Sequence, residues 1–186
     1  MSDDCDSRLR GARLAIETVH RAGVWNEFGA LDALVESCAS AIAGAVDLPA
    51  KTVEVALALS DDTDVRELNR TFRHQDKPTN VLSFPAGEGV DEGGIFIGDI
   101  VLAEETLLNE AADLRIPAEH HFQHLVIHGI LHLLGYDHED DQEAEAMEAL
   151  EISLLSGIGI PNPYSSPATE AGCESPECRT RQSTVR

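Results

Sequence analysis

Residues 122–134 read FQHLVIHGILHLL. The stretch follows Pro117 and is apolar nearly all round, which predicts a helix running to about Leu134 with almost no face left for water. Such a helix belongs in the middle of a domain, so the rest of the chain must supply layers that cover it. Gly129 inside it costs about 1 kcal/mol of helix propensity against alanine, which points to a close packing contact there.

The flanking patterns supply those layers. Residues 12–19 (ARLAIETV), 52–59 (TVEVALAL), 80–84 (NVLSF) and 95–102 (IFIGDIVL) read as strands, the third stopping at Pro85. Residues 86–94 (AGEGVDEGG) read as a flexible acidic connector. A helix is expected at about 26–45, where Phe28, Leu31, Val35, Cys38 and Ile42 make one apolar stripe and Cys38 is a core residue. A second, at about 62–72 behind the Ser60-Asp61-Asp62 cap signal, carries Val65, Leu68 and Phe72 on one face. Two more are expected at about 103–114 and 140–156, the last with Ala144, Met147, Leu150 and Leu154 turned inward. The fold expected is α+β, a single domain whose small mixed sheet of about four strands packs against helices.

Length and charge bound the function. At 186 residues and 20.1 kDa the chain suits one domain with an appendage. Residues 1–10 read as a polar N-terminal extension, 11–157 as the domain, and 158–186 as a disordered, acidic, Pro/Ser-rich tail that holds Cys173 and Cys178. With 13 basic against 34 acidic residues the formal charge is −21, which disfavours a bulk electrostatic grip on nucleic acid or anionic membrane and leaves room only for a local positive groove or a metal. Four cysteines make no secreted-type framework, no apolar run reaches the roughly 18 residues of a membrane span, and a cytoplasmic location is expected.

Six of the eight histidines fall between 120 and 138. His128 and His132 are four apart on the buried helix and share one face, so two imidazoles can meet one metal there. His124 cannot be the third ligand, because residues 124 and 132 are about 12 Å apart along the axis. The third must come from where the chain reverses, and Gly135 is the reversal signal. His128-x3-His132-x5-His138 then resembles the HExxHxxGxxH site of metzincin proteases. Three histidines with an open fourth position are a catalytic zinc layout at the end of the central helix. Gly129 stands where those proteases carry their glutamate base, so a peptidase reading loses its base. Asp137 is the nearest acidic candidate, either as base or as a partner orienting a ligand.

A second feature is basic. Residues 66–77 (RELNRTFRHQDK) hold Arg66, Arg70, Arg73 and Lys77, four of the 13 basic residues of a strongly acidic chain. Arg66 reads as a solvated helix position, whereas Arg70 and Arg73 share a side, and the planar guanidinium suits phosphate. Arg70, Arg73 and Lys77 are thus the candidate substrate-binding residues.

Three blocks, LNRTFRHQDKPTNVLSFP (68–85), IGDIVLA (97–103) and HGILHLLGYDH (128–138), resemble the YbeY family of bacterial endoribonucleases in the family's own order. The resemblance covers about residues 52–156. It implies a compact α+β fold and one zinc per chain on His128, His132 and His138, with Arg73 as the functionally important arginine. It implies single-strand-specific cleavage of RNA, maturation of ribosomal RNA including the 3′ end of 16S rRNA, ribosome quality control, and the small ribosomal subunit and its assembly factors as partners. Two other readings stand beside it: a small-subunit assembly protein with a structural metal, and a metallohydrolase of another substrate class. The oligomeric state is not readable.

Overall fold

The computed structural model describes residues 11–87, 90–91, 94–136 and 140–165. Strand β1 (Arg13–His20) leads through a loop into helix α1 (Leu31–Ala45), and β2 (Thr52–Ser60) follows. Helix α2 (Asp62–Arg73), strands β3 (Val81–Pro85), β4 (Val90–Asp91) and β5 (Gly94–Ala103), and helices α3 (Glu104–Leu114), α4 (Ala118–Leu133) and α5 (Asp141–Gly157) complete the order.

The sheet runs β1-β2-β5-β3, with the two-residue β4 pairing β5 outside that path. β1, β2 and β5 are parallel, and β3 and β4 are antiparallel to β5, so the sheet is mixed as expected. Each parallel pairing needs a long crossover, supplied by α1 in the first case and by α2 with β3 and β4 in the second. Helices lie on both faces. Val65 of α2 closes a small core with Leu82, Val101 and Ala103 on one face. The main core, on the other, joins Leu57, Leu59, Ile100 and Leu102 to α1, α4 and α5.

Helix α4 lies at the centre, with Phe122, Val126, Ile127, Ile130 and Leu131 fully buried. It can lie flush on the sheet because position 129 has no side chain. A Cβ there would stand 3.0 Å from Ile100 Cδ1 and 3.2 Å from Ser83 Oγ, and Ser83 donates a hydrogen bond to the Gly129 carbonyl at 3.3 Å.

The first long helix begins later than its apolar stripe suggests. Phe28 belongs to the preceding loop, yet it is buried among Trp25 and Phe122, with ring centroids 5.2 and 5.4 Å away. The loop is pinned by the buried Glu104 carboxylate, which accepts from the Val24 and Trp25 amides at 2.7 and 2.6 Å. Cys38 is a core residue. Burial pushes its thiol up to about 12, the side-chain hydrogen bonds of Ser37 and Gln123 only partly opposing.

Phe72 departs from expectation. Periodicity groups it with Val65 and Leu68 on one face of α2, yet it is 63% exposed. The helix overhangs the sheet edge at its last turn, and the ring meets Phe84 of β3 edge-on at 5.1 Å. The packed chain also continues past 157. Ile160 is 6% exposed and joins the main core. Residues 1–10 and 166–186, residues 88, 89, 92 and 93 of the 86–94 connector, and Asp137, His138 and Glu139 lie outside the described residues.

Candidate metal centre and basic groove

Helix α4 ends in the reversal that Gly135 announces. Gly135 has φ +91°, the Tyr136 amide donates to the Leu131 carbonyl at 3.0 Å and the Gly135 amide to the His132 carbonyl at 3.0 Å, a glycine-terminated helix stop. The turn also brings the Tyr136 carbonyl oxygen to 3.1 Å from His132 Nδ1. One turn back, His128 Nδ1 lies 2.7 Å from Glu151 Oε1 of α5.

Both partners are pure acceptors, so each Nδ1 carries a proton, and the Nε2 atom is the one each ring would turn to a metal. These two Nε2 atoms converge to 3.1 Å, on rings almost perpendicular at 88°. Two nitrogens at about 2.05 Å from one tetrahedral zinc stand about 3.3 Å apart. The pair therefore fits two ligands of one metal, each oriented by the outer partner that ligating histidines ordinarily have. Among the described residues no group of three or more His, Cys, Asp or Glu side chains is arranged to hold a metal ion. His138, expected as the third ligand, and Asp137, the candidate base, fall outside those residues.

Glu151 was not among the residues expected here, although a signal existed. It lies four residues after Met147 and three before Leu154, on the inward stripe of α5, where a carboxylate needs a reason. It is fully buried and takes hydrogen bonds from His128, from His124 at 3.3 Å, and from the Tyr164 hydroxyl. Burial alone would push its carboxyl up, but the bonds from His124, His128 and Tyr164 outweigh burial and bring it down to about 2. It is thus a carboxylate at any physiological pH.

The basic segment ends α2. His74 closes the helix in the left-handed conformation, and the buried Asn69 side chain donates to the Lys77 carbonyl at 2.8 Å, folding the turn back. Asn80 Nδ2 then reaches Glu110 at 2.9 Å, and Glu110 meets His121 of α4 at 2.8 Å. Arg66 is paired with Asp76 through Nε at 2.8 Å, in keeping with its reading as a solvated position. Arg70, Arg73 and Lys77 are exposed, and among the described residues neither Arg73 nor Lys77 has a salt bridge.

A run of contacts through β3 and β5 links the end of α2 to the end of α4. Phe72, beside Arg73, rests on Phe84, and Gly98 of β5 is crowded between the Phe84 carbonyl and Leu133, the residue after His132. A Cβ on Gly98 would fall 2.3 Å from that carbonyl oxygen and 2.8 Å from Leu133 Cδ2. Among the described residues Arg73 makes no hydrogen bond to either histidine.

The family model described as "Endoribonuclease YbeY" matches residues 25–159. Similar proteins of that description occur in Nitrobacter winogradskyi, 43% identical over 164 residues with 86% of each chain covered, and in Rhodopseudomonas palustris, 42% identical over 178 residues covering 87% of this chain and 91% of that one. A solution structure of a Thermotoga maritima protein superposes with a TM-score of 0.51 at 27% identity, covering 82% of this chain and 98% of that one. With its fold, its central helix and most of its length matched, the chain belongs to the YbeY endoribonuclease family.

Proposed function

We propose that this protein is a zinc-dependent, single-strand-specific endoribonuclease of ribosomal RNA processing, including maturation of the 16S 3′ end, and of ribosome quality control. One zinc per chain is held by His128, His132 and His138. The observation that carries the reading is the convergence of the His128 and His132 Nε2 atoms at 3.1 Å, with both Nδ1 positions already engaged, in a chain of this family. The small ribosomal subunit and its assembly factors are the expected partners. No helix among the described residues is long and apolar enough to cross a membrane.

Zinc, when bound, supplies Lewis-acid stabilisation of charge building on a phosphodiester. The chain's own groups do the rest. Glu151 holds the Nδ1 proton of His128 and so keeps its Nε2 lone pair directed outward. Arg73 grips phosphate oxygens through its fork, and Arg70 and Lys77 extend that grip along the strand. Asp137 is the candidate to accept a proton at its carboxylate. The exposed Phe72 ring, backed by Phe84, offers a face for a base, which a single strand can present and a duplex cannot.

Zinc-loaded protein is expected to cut an end-labelled single-stranded RNA and to leave the matching duplex intact. Chelation should stop cleavage, and zinc should restore it. A protein that binds zinc yet never cuts single strands would shift the reading to an assembly role with a structural metal.

Stacking and charge separate in a salt titration of binding. Phe72→Ala is expected to weaken a single-stranded oligonucleotide roughly 5- to 100-fold at every salt concentration, the worth of about one stacked base. Arg73→Ala should instead flatten the logarithmic salt dependence by about 0.7, one phosphate contact on a single strand. Equal binding by Phe72→Ala and wild type would remove the base from that ring.

A further inference from the structure

The segment after α5 reaches back to the histidines. Ile160 is buried in the main core and anchors it. Beyond it, Asn162 makes a tight turn, its side chain accepting from the Tyr164 amide at 2.8 Å and its carbonyl from Ser165 Oγ at 2.7 Å. The turn aims the Tyr164 ring at His124, which it meets edge-on at 5.6 Å and 83°. The hydroxyl donates to Glu151 Oε2 and lies 3.4 Å from His124 Nε2. Tyr164 lies beyond residues 25–159, the stretch matched to the family.

The carboxylate of Glu151 has two oxygens, and the structure divides them. Oε1 faces His128 Nδ1, while Oε2 takes Tyr164 and His124. Without Tyr164 only the longer 3.3 Å contact from His124 would remain at Oε2, and a carboxylate so weakly held there can rotate about its terminal torsion, which has broad wells. Held at both, it keeps Oε1 on the imidazole. We infer that Tyr164 is a positioning residue for the zinc site: from the end of the domain it locks Glu151, and through Glu151 it sets the direction of the His128 Nε2 lone pair. The inference rests on the zinc reading above. It assigns to the post-α5 segment a part in metal affinity, not in contact with substrate.

The test is zinc affinity, measured by competition with a chromophoric chelator on the full chain. Tyr164→Phe removes one oxygen and keeps the ring against His124, so the fold should survive, and circular dichroism with metal-free thermal unfolding checks that it does. Zinc should bind about 10-fold more weakly, the lower range for loss of an outer-sphere partner. Glu151→Gln should also weaken zinc, and in that background Tyr164→Phe should add less than about twofold, because the carboxylate it acts through is gone. Wild-type zinc affinity in Tyr164→Phe would overturn the inference and leave the zinc site standing. The same loss in both backgrounds would also overturn it, by showing an effect independent of Glu151. Failure of the wild-type protein to bind zinc would sink both readings together, and is recognised before any variant is compared.

Discussion

His132→Ala protein is expected to leave purification folded and nearly free of zinc. Loss of one of three ligands exceeds the loss of an outer partner, which alone costs 10- to 100-fold, so affinity should fall by more than about 100-fold. RNA cleavage should fall with it, by at least about two orders of magnitude. His132 is the better choice than His128 for this test. The His132 Nδ1 faces a backbone carbonyl at a turn, whereas His128 is one of the groups satisfying a fully buried carboxylate. His128→Ala would therefore mix a metal effect with a stability cost of about 1–3 kcal/mol from a weakened Glu151. Elemental analysis with circular dichroism reads the outcome directly. A folded His132→Ala chain that retains one zinc would refute the ligand assignment, and a folded His138→Ala chain with full occupancy would show that the third ligand lies elsewhere.

Gly129→Glu should be the most damaging single change for the fold. It writes the metzincin base into the helix, at a position where even a Cβ already stands 3.0–3.2 Å from Ile100 and Ser83. Overpacking costs about 1–3 kcal/mol. Burying an unpaired carboxylate against the sheet adds several more, or drives the helix off the sheet. Against a total stability of about 5–15 kcal/mol, the variant should lose most of its folded population or become insoluble. Gly129→Ala makes the control. It gains about 1 kcal/mol of helix propensity and meets only side-chain atoms that can give by a few tenths of an ångström, so its urea midpoint should move little. A well-folded Gly129→Glu protein would mean that α4 can lift from β5 and β3, contrary to the close approach seen here. In this fold, steric exclusion bars a general base at position 129.

These two cases mark what could be read from residues alone. Helix α4 was legible because it is apolar on all sides, and its end because Gly135 needs a positive φ. The convergence of His128 and His132 followed from helical spacing. The strands were legible individually, but their order was not. β1-β2-β5-β3 depends on crossovers that join strands far apart in sequence, and no local pattern encodes which parallel neighbour a buried strand takes. Phe72 joins the apolar stripe of α2 by spacing, but spacing does not tell that Val65 is buried while Phe72 is exposed and meets the Phe84 ring edge-on. Glu151 was hidden by its acidic surroundings, where one more carboxylate reads as surface. Tyr164 had no signal at all, since it acts through a fold-back contact from a segment that reads as tail. The Tyr136 carbonyl was equally silent, because the backbone atom that orients His132 would be supplied by any residue there.

The route by which Glu151 and Tyr164 reach His128 has a consequence for the protein's own synthesis. A ribosome makes the chain from its N-terminus, so His128 emerges before the two groups that orient it. Glu151 follows 23 residues after His128, and Tyr164 another 13 later. A nascent chain halted before Glu151 has a His128 without its orienting carboxylate, on a helix whose α5 cover is incomplete. On the inference above, full zinc affinity is thus expected only once residues 141–164 have been made. The order in which the chain is made therefore places the alignment of His128 after the synthesis of the ligand itself.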